Sequence, residues 1–310
     1  MQKSSFNAGV LYMFFAYFLW GIFPLYWKLL SDVDPMHILV FRIILSLVLV
    51  GSILLILKNY NWLKFFKDRR ECLLIILASL TISSNWGLYI WSVNSGYTIE
   101  AALGYYINPL ISVVFGLLFY KEKINFLQTI AFFLAIAGVL VLTILSGSLP
   151  WISLCLSLSF GIYGLIKKTI KLSALESLGS ETLIALPFSL ILLTFFTGEL
   201  SYLKALPLPT LIIFLFCGAV TTLPLYLFAK GVKLLPLSTV GFMQFLSPTL
   251  TFLTGIFIFK ESFSAHNLIV FIIIWTAVVV YIISLRRLPG NFRTDGSRQS
   301  GSLEVPQKKD

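Results

Sequence analysis

Ile38-Leu39-Val40-Phe41-Arg42-Ile43-Ile44-Leu45-Ser46-Leu47-Val48-Leu49-Val50-Gly51-Ser52-Ile53-Leu54-Leu55-Ile56-Leu57 is apolar on every side of a helix, with a single charge at Arg42. At 1.5 Å per residue such a run reaches about 30 Å, the thickness of a bilayer's hydrocarbon core. Ala131 to Leu145 reads the same way. Hydrocarbon offers no water to backbone N–H and C=O groups, so a spanning element is either a helix with internal bonds or a closed barrel. Barrel strands alternate polar and apolar residues, and neither run does. The composition agrees: of 310 residues, 58% are hydrophobic and 12% charged, with a mean hydropathy of +0.93. That is more apolar surface than one water-soluble core could hide, so lipid is the expected solvent.

Working outward, apolar runs fall at 8–28, 36–57, 72–93, 97–119, 124–145, 149–168, 175–197, 207–229, 236–258 and 265–285, which makes ten. The linkers between them are short and rich in turn residues, as at Ser31 to Pro35, Ser146 to Pro150 and Gly198 to Pro209. The first run holds Tyr17, Trp20, Pro24 and Trp27 and no small-residue cleavage site, and it reads as a retained helix. From Arg286 the chain turns polar and basic, a disordered tail by composition. With the N-terminus cytoplasmic, 19 of the 23 Lys and Arg residues fall on the inside; Lys28, Lys204 and Lys260 fall outside and Arg42 lies within a helix. An even number of spans with both termini cytoplasmic fits this bias. Topology thus explains the net charge of +10 better than a nucleic-acid partner does. Cys72, Cys155 and Cys217 lie in or beside apolar runs with no CxxC pair, against a disulfide or zinc site.

The chain repeats itself. Asn108-Pro109 and Lys121-Glu122 recur as Ser247-Pro248 and Lys260-Glu261, both 139 positions on. Trp20-Gly21-Ile22-Phe23 with Lys28 recurs as Phe160-Gly161-Ile162-Tyr163 with Lys168, 140 positions on. The expected organisation is a five-helix repeat over 1–145, a second over 146–285, and the tail over 286–310. Five is odd, so the second repeat enters the membrane inverted. The fold class expected is therefore an all-α integral membrane protein with ten transmembrane helices in two inverted five-helix repeats. Inverted halves can exchange conformations, turning an inward-open arrangement into an outward-open one of similar energy, which is what alternating access requires.

Tyr17 to Lys28, Trp86 to Asn94, Glu100 to Leu110 and Gln244-Phe245-Leu246-Ser247-Pro248-Thr249-Leu250 together resemble, in order and spacing, the RarD branch of the EamA-type drug/metabolite transporters. The likeness spans residues 8 to about 285. It implies a ten-helix protein of the cell inner membrane with a central cavity between the repeats, moving small organic solutes that are metabolite-like, amino-acid-like or drug-like. Membership does not choose the cargo. Ser247, where the first repeat has Asn108, departs from strict symmetry.

Candidate substrate-binding or gating residues follow from polarity inside spans. Pro109 and Pro248 donate no N–H, and each frees the carbonyl four residues earlier, at Tyr105 and Gln244, so both are expected kinks. Arg42 is the one cation well inside a span, where a charge costs about 2.5–3.5 kcal/mol on insertion scales. Glu181 lies 139 positions on, and under inverted symmetry the two sit at opposite depths, each about 9 Å from its nearer helix end. The plain alternatives are snorkelling of Arg42 towards Asp32 and Asp34, and of Glu181 towards Lys167, Lys168 or Lys171. Asn85, Trp86 and Tyr89 in the third span suit an organic solute, and Trp20 and Asn108 from the repeated motifs complete the set. Glu100 reads as a charge at a helix N-terminus. Glu122 and Glu261 read as interfacial, and Trp27, Trp62 and Trp151 as interfacial anchors. His37 and His266 sit near span starts, against a haem, and no cofactor or metal is expected. HExxH, GxSxG and GxxxxGK[ST] do not occur, which argues against a zinc protease, a hydrolase of that type and an on-chain ATPase. Transport then runs downhill, by exchange or on an ion gradient, the ion being either a proton taken up at Glu181 or Glu100 or sodium. The rivals are a membrane sensor or assembly component that moves nothing, and an intramembrane enzyme.

Overall fold

Caps and turn residues cut the apolar sequence into rods. Pro35 opens its helix at the first position, where its missing N–H costs nothing, and Asp34 caps the turn by accepting from the N–H groups of Met36 at 2.7 Å and His37 at 3.4 Å. Asp68 does the same for Arg70 at 2.9 Å and Glu71 at 3.3 Å. In the computed structural model, residues 2–146, 151–195, 206–260 and 265–286 are described. They form α1 (Gln2–Lys28), α2 (Pro35–Ile56), α3 (Arg69–Asn94), α4 (Thr98–Phe119), α5 (Phe126–Ser146), α6 (Trp151–Thr169), α7 (Ala174–Phe195), α8 (Leu208–Leu215), α9 (Cys217–Leu234), α10 (Leu237–Gln244), α11 (Leu246–Phe257) and α12 (Ala265–Arg286). A 3-10 turn, Asn61–Lys67, precedes α3, and no strand occurs among the described residues. The tail, Glu261 and the side chains of Asn94 and His266 lie outside them.

α8 and α9 form one broken rod, interrupted at Phe216, and α10 and α11 another, interrupted at Phe245. Among the described residues nine rods are long and apolar enough to cross a membrane; α6 is the tenth rod, its 19 residues made less apolar by Ser153, Ser157, Ser159, Lys167 and Lys168. The two prolines of the repeat behave differently. Pro109 stays within a continuous α4, whereas the chain breaks just ahead of Pro248, whose ring crowds the carbonyl of Gln244.

The packing has a two-fold pattern. α2 lies on α7, α4 on α10 and α5 on α12, each rod meeting its counterpart in the repeat; α1 lies on α9 and α11 as α6 lies on α3 and α4. Gly21 in α1 and Gly161 in α6 mark equivalent crossings. A Cβ on Gly21 would lie 2.6 Å from Leu250 and one on Gly161 2.5 Å from Ile111, and positions 111 and 250 are again 139 apart. Lys121 and Lys260 both take the left-handed backbone conformation, at φ 51° and 58°.

Inside the bundle, Tyr17, Trp20, Phe160, Tyr163 and Phe228 form an aromatic cluster. Large apolar side chains such as Val48, Ile56, Phe133, Ile144 and Ile272 stay exposed on the outer faces, as a lipid-solvated surface requires. Polar ties gather at the lysine-rich end. Glu122 accepts from the N–H groups of Leu237 at 2.6 Å and Ser238 at 2.9 Å, Glu71 from that of Lys171 at 2.9 Å, and Glu176 from the Asn59 amide at 2.9 Å. Lys168 donates to the carbonyls of Val232 and Leu235. Glu122 therefore caps the first turn of α10 at this end of the bundle, because a carboxylate at a helix N-terminus satisfies orphan N–H groups. Trp62 departs from the expected anchor role: it is buried against Val50 and Leu54, with its carbonyl accepting from Ser180 at 2.6 Å.

Candidate functional site

Arg42 enters the bundle seven residues after Pro35, about 10 Å along α2. Its guanidinium carbon lies 3.7 Å from the centre of the Trp86 ring, presented by α3, and 5.7 Å from that of Trp27 in α1. Tyr105 of α4 and Cys217 of α9 lie within electrostatic reach of the same charge. Tyr89, one helical turn beyond Trp86, pairs edge to face with Tyr105 at 5.7 Å between centroids. Both tyrosines keep accessible surface, 37% and 46%, although four helices meet around them. The outward snorkelling of Arg42 does not occur: Asp34 is the cap of α2, the buried Nε of Arg42 has no hydrogen-bond partner, and no carboxylate among the described residues forms an ion pair with it. Trp27, expected as an interfacial anchor, instead forms part of the wall beside this charge.

Glu181 lies in a second group. Lys167 donates to its Oε1 at 2.5 Å and Tyr163 to its Oε2 at 3.1 Å, and Lys167 also donates to Ser177 at 2.5 Å. The pair is fully interior, with side-chain exposures of 0% and 4%. Of the three lysines considered for Glu181, Lys167 is the partner, and it reaches inward along α6 to find it. Beside the pair is a small cavity, about 20 Å³ of space open to the centre of a water, enough for roughly one molecule. Ser46, Ser79, Ser83, Thr221, Thr222 and Glu181 line it, and Trp86 forms part of its wall. The hydroxyls of Ser83, Thr221 and Thr222 are buried with no protein partner. Trp86 therefore borders both groups, with Arg42 on one face and the hydroxyl-lined cavity beyond it.

The remaining candidates have separate duties. Asn85 holds α3 to α6, donating to the Leu156 carbonyl at 2.8 Å and to Ser159 at 2.9 Å. Trp20 belongs to the aromatic cluster, 5.7 Å from both Phe160 and Phe228. Gln244 accepts from Ser112 at 3.2 Å where α10 crosses α4, close enough that a Cβ on Gly241 would meet the Pro109 carbonyl at 2.6 Å. Asn108 is buried on α4 with its Oδ1 unpartnered. Arg42, Trp86, Tyr89 and Tyr105 thus converge, while Glu181, Asn85, Trp20 and Gln244 have the separate contacts given above and Asn108 is buried on α4. Among the described residues no cluster of His, Cys, Asp and Glu could hold a metal ion.

The sequence profile of the EamA-like transporter family matches residues 7–144 and again 149–283. This chain belongs to that family. EamA-like relatives run along nearly its whole length: an uncharacterized transporter, YojE, of Bacillus subtilis is 42% identical over 288 residues, covering 92% of this chain and 96% of the relative. Protein RarD of Streptomyces exfoliatus is 39% identical and covers 88% of each chain. Protein RarD of Escherichia coli is 36% identical, covering 91% of this chain and 96% of that one. A protein of known crystal structure is similar in fold to this chain, with a TM-score of 0.72 at 16% identity, covering 91% of this chain and 99% of its own. The chain is thus a multi-pass membrane protein of a transporter family, and the stretches 17–28, 86–94, 100–110 and 244–250 contribute Trp20, Trp86, Tyr89, Tyr105 and Gln244 to the interior described above.

Proposed function

We propose that the chain is a secondary carrier that moves a small organic solute across the cell inner membrane by alternating access, with both termini cytoplasmic. The observation that carries this reading is the asymmetry of the bundle. Residues 1–145 and 146–285 are tied together at the lysine-rich end by Glu122, Glu71 and Glu176, while Arg42 stands nearer the other end with Tyr89 and Tyr105, both of which keep accessible surface. With the lysines inside, the two halves are held together on the cytoplasmic side, and the Arg42 group lies towards the outer side. The two-fold packing and the equivalent Gly21 and Gly161 crossings support a pair of inverted repeats, and inversion supplies an oppositely facing state at similar energy.

Arg42, Trp86, Tyr89 and Tyr105 are the solute site in this reading, and the Lys167–Glu181 pair is the coupling site for a proton. Of the two carboxylates suited to that role, Glu181 is central, beside the cavity that touches Trp86, whereas Glu100 lies in the first turn of α4. An untargeted comparison of metabolites inside and outside cells with and without the chain identifies the cargo. Counterflow of that cargo in liposomes, with and without a pH gradient, then tests the carrier. Arg42→Ala is expected to abolish movement while the protein still inserts; normal transport by that variant removes Arg42 from the mechanism. Chemical turnover of the solute without movement would establish the enzyme reading instead.

A further inference from the structure

We infer that the solute is an organic monocarboxylate with a flat apolar body, its carboxylate seated on Arg42 and its body between Trp86 and the Tyr89–Tyr105 pair. The inference rests on the carrier reading only in calling that molecule the cargo; the anion site stands on its own geometry.

A guanidinium stays protonated in any protein environment, so Arg42 cannot shed its charge to suit its surroundings. Lys167, the other cation deep in the bundle, has its carboxylate, Glu181, at 2.5 Å. Arg42 has none among the described residues, and its Nε is buried without an acceptor. The Trp86 ring at 3.7 Å offsets part of the charge through its electron-rich face but accepts no hydrogen bond in the guanidinium plane. Stacking on that face leaves the edge of the guanidinium for an acceptor, and its fork of N–H groups matches the two oxygens of a carboxylate. Tyr105 stands within reach of the same charge and brings a hydroxyl that can donate to an anion. A single fixed cation is neutralised by a single negative charge, which favours a monocarboxylate over a phosphate dianion. The rings of Trp86, Trp27, Tyr89 and Tyr105 supply flat walls for the rest of the molecule.

The full chain, purified in detergent, is titrated with phenylacetate, with its neutral amide phenylacetamide, with the cation phenethylamine and with phenyl phosphate, following tryptophan fluorescence and the unfolding temperature. Phenylacetate is expected to quench and to stabilise at a concentration at least about tenfold below the other three, a preference that each 1.4 kcal/mol of binding energy sets. Arg42→Gln is expected to erase the preference and Arg42→Lys to keep part of it, since a lysine is a point charge without the fork. Equal responses to acid and amide, a stronger response to the phosphate, or no response to phenylacetate would overturn the inference, and these arms need no mutant to fold. The same four compounds are then offered as counterflow substrates in liposomes. Carboxylate-selective binding without counterflow sinks the carrier reading and leaves the anion site standing; counterflow indifferent to the carboxylate does the reverse.

Discussion

The charged side chains inside the bundle meet opposite fates. Lys167 and Glu181 satisfy each other and recruit Tyr163 and Ser177, whereas Arg42 has aromatic rings and no anion among the described residues. Removing one member of a buried pair strands the other, at about 3–5 kcal/mol, while replacing both with apolar residues of similar volume is near neutral. Glu181→Gln and Lys167→Met are therefore each expected to lower thermal stability in detergent markedly, and the double variant Lys167→Met with Glu181→Leu to recover most of it. Single variants as stable as the parent would mean that the pair contributes nothing to the bundle. The sequence placed Arg42 and Glu181 inside spans because a charge among apolar residues is conspicuous, but the choice among three lysines for Glu181 was not legible, since it depends on which face of α6 turns inward. Ser79, Ser83 and Trp86 at positions i, i+4 and i+7 did carry that signal for α3, as one polar stripe on an apolar helix. Trp27 carried no signal at all, because a tryptophan near a span end looks the same whether it faces headgroups or a buried cation.

At the level of helices, the ten runs and the repeat were readable from hydropathy and offset, while the breaks within the eighth and ninth rods were not. The break at Phe216 lies eight residues before Pro224, too far for a proline ring to cause, and it lies instead beside a close helix crossing at Gly218. A Cβ on Gly218 would lie 2.5 Å from the Leu45 carbonyl carbon and 2.7 Å from the Ser46 nitrogen, and Ser46 donates to the Gly218 carbonyl at 3.0 Å. Backbone meets backbone there, so no rotamer change can make room. Gly218→Val is expected to cost at least the 1–3 kcal/mol typical of overpacking and to lower the yield of folded protein. Gly51→Val, on the same α2 but with nothing within 4 Å, is the control and should behave like the parent in unfolding and size-exclusion measurements. A normal Gly218→Val protein would mean that α2 and α9 do not approach so closely. A glycine within an apolar run announces that some close contact is needed; only the fold names the partner.

For the whole molecule, everything turns on the direction in which each half crosses the lipid, and that rests on α6. It is the one of the ten rods that lacks a stretch as apolar as those of the other nine, with three serines and two lysines in 19 residues, and Lys167 is buried inside it. Its neighbours keep it in the bundle: Asn85 reaches it from α3, Gly104 of α4 packs against Ser153 and Leu156, and Glu181 neutralises its buried lysine. If α6 crosses, five spans precede the 147–150 link and five follow it, so reporter tags in that link and in the tail beyond residue 286 must lie on opposite sides, the link outside and the tail in the cytoplasm. If α6 were only a peripheral helix, the second half would hold four spans and both tags would report one compartment. The repeats could not then be inverted, the lysine-rich end would no longer be a single cytoplasmic face, and the case for two exchangeable states would fall with them. Accessibility of single cysteines placed in the link and in the tail to an impermeant maleimide, in intact and in opened cells, decides between the two.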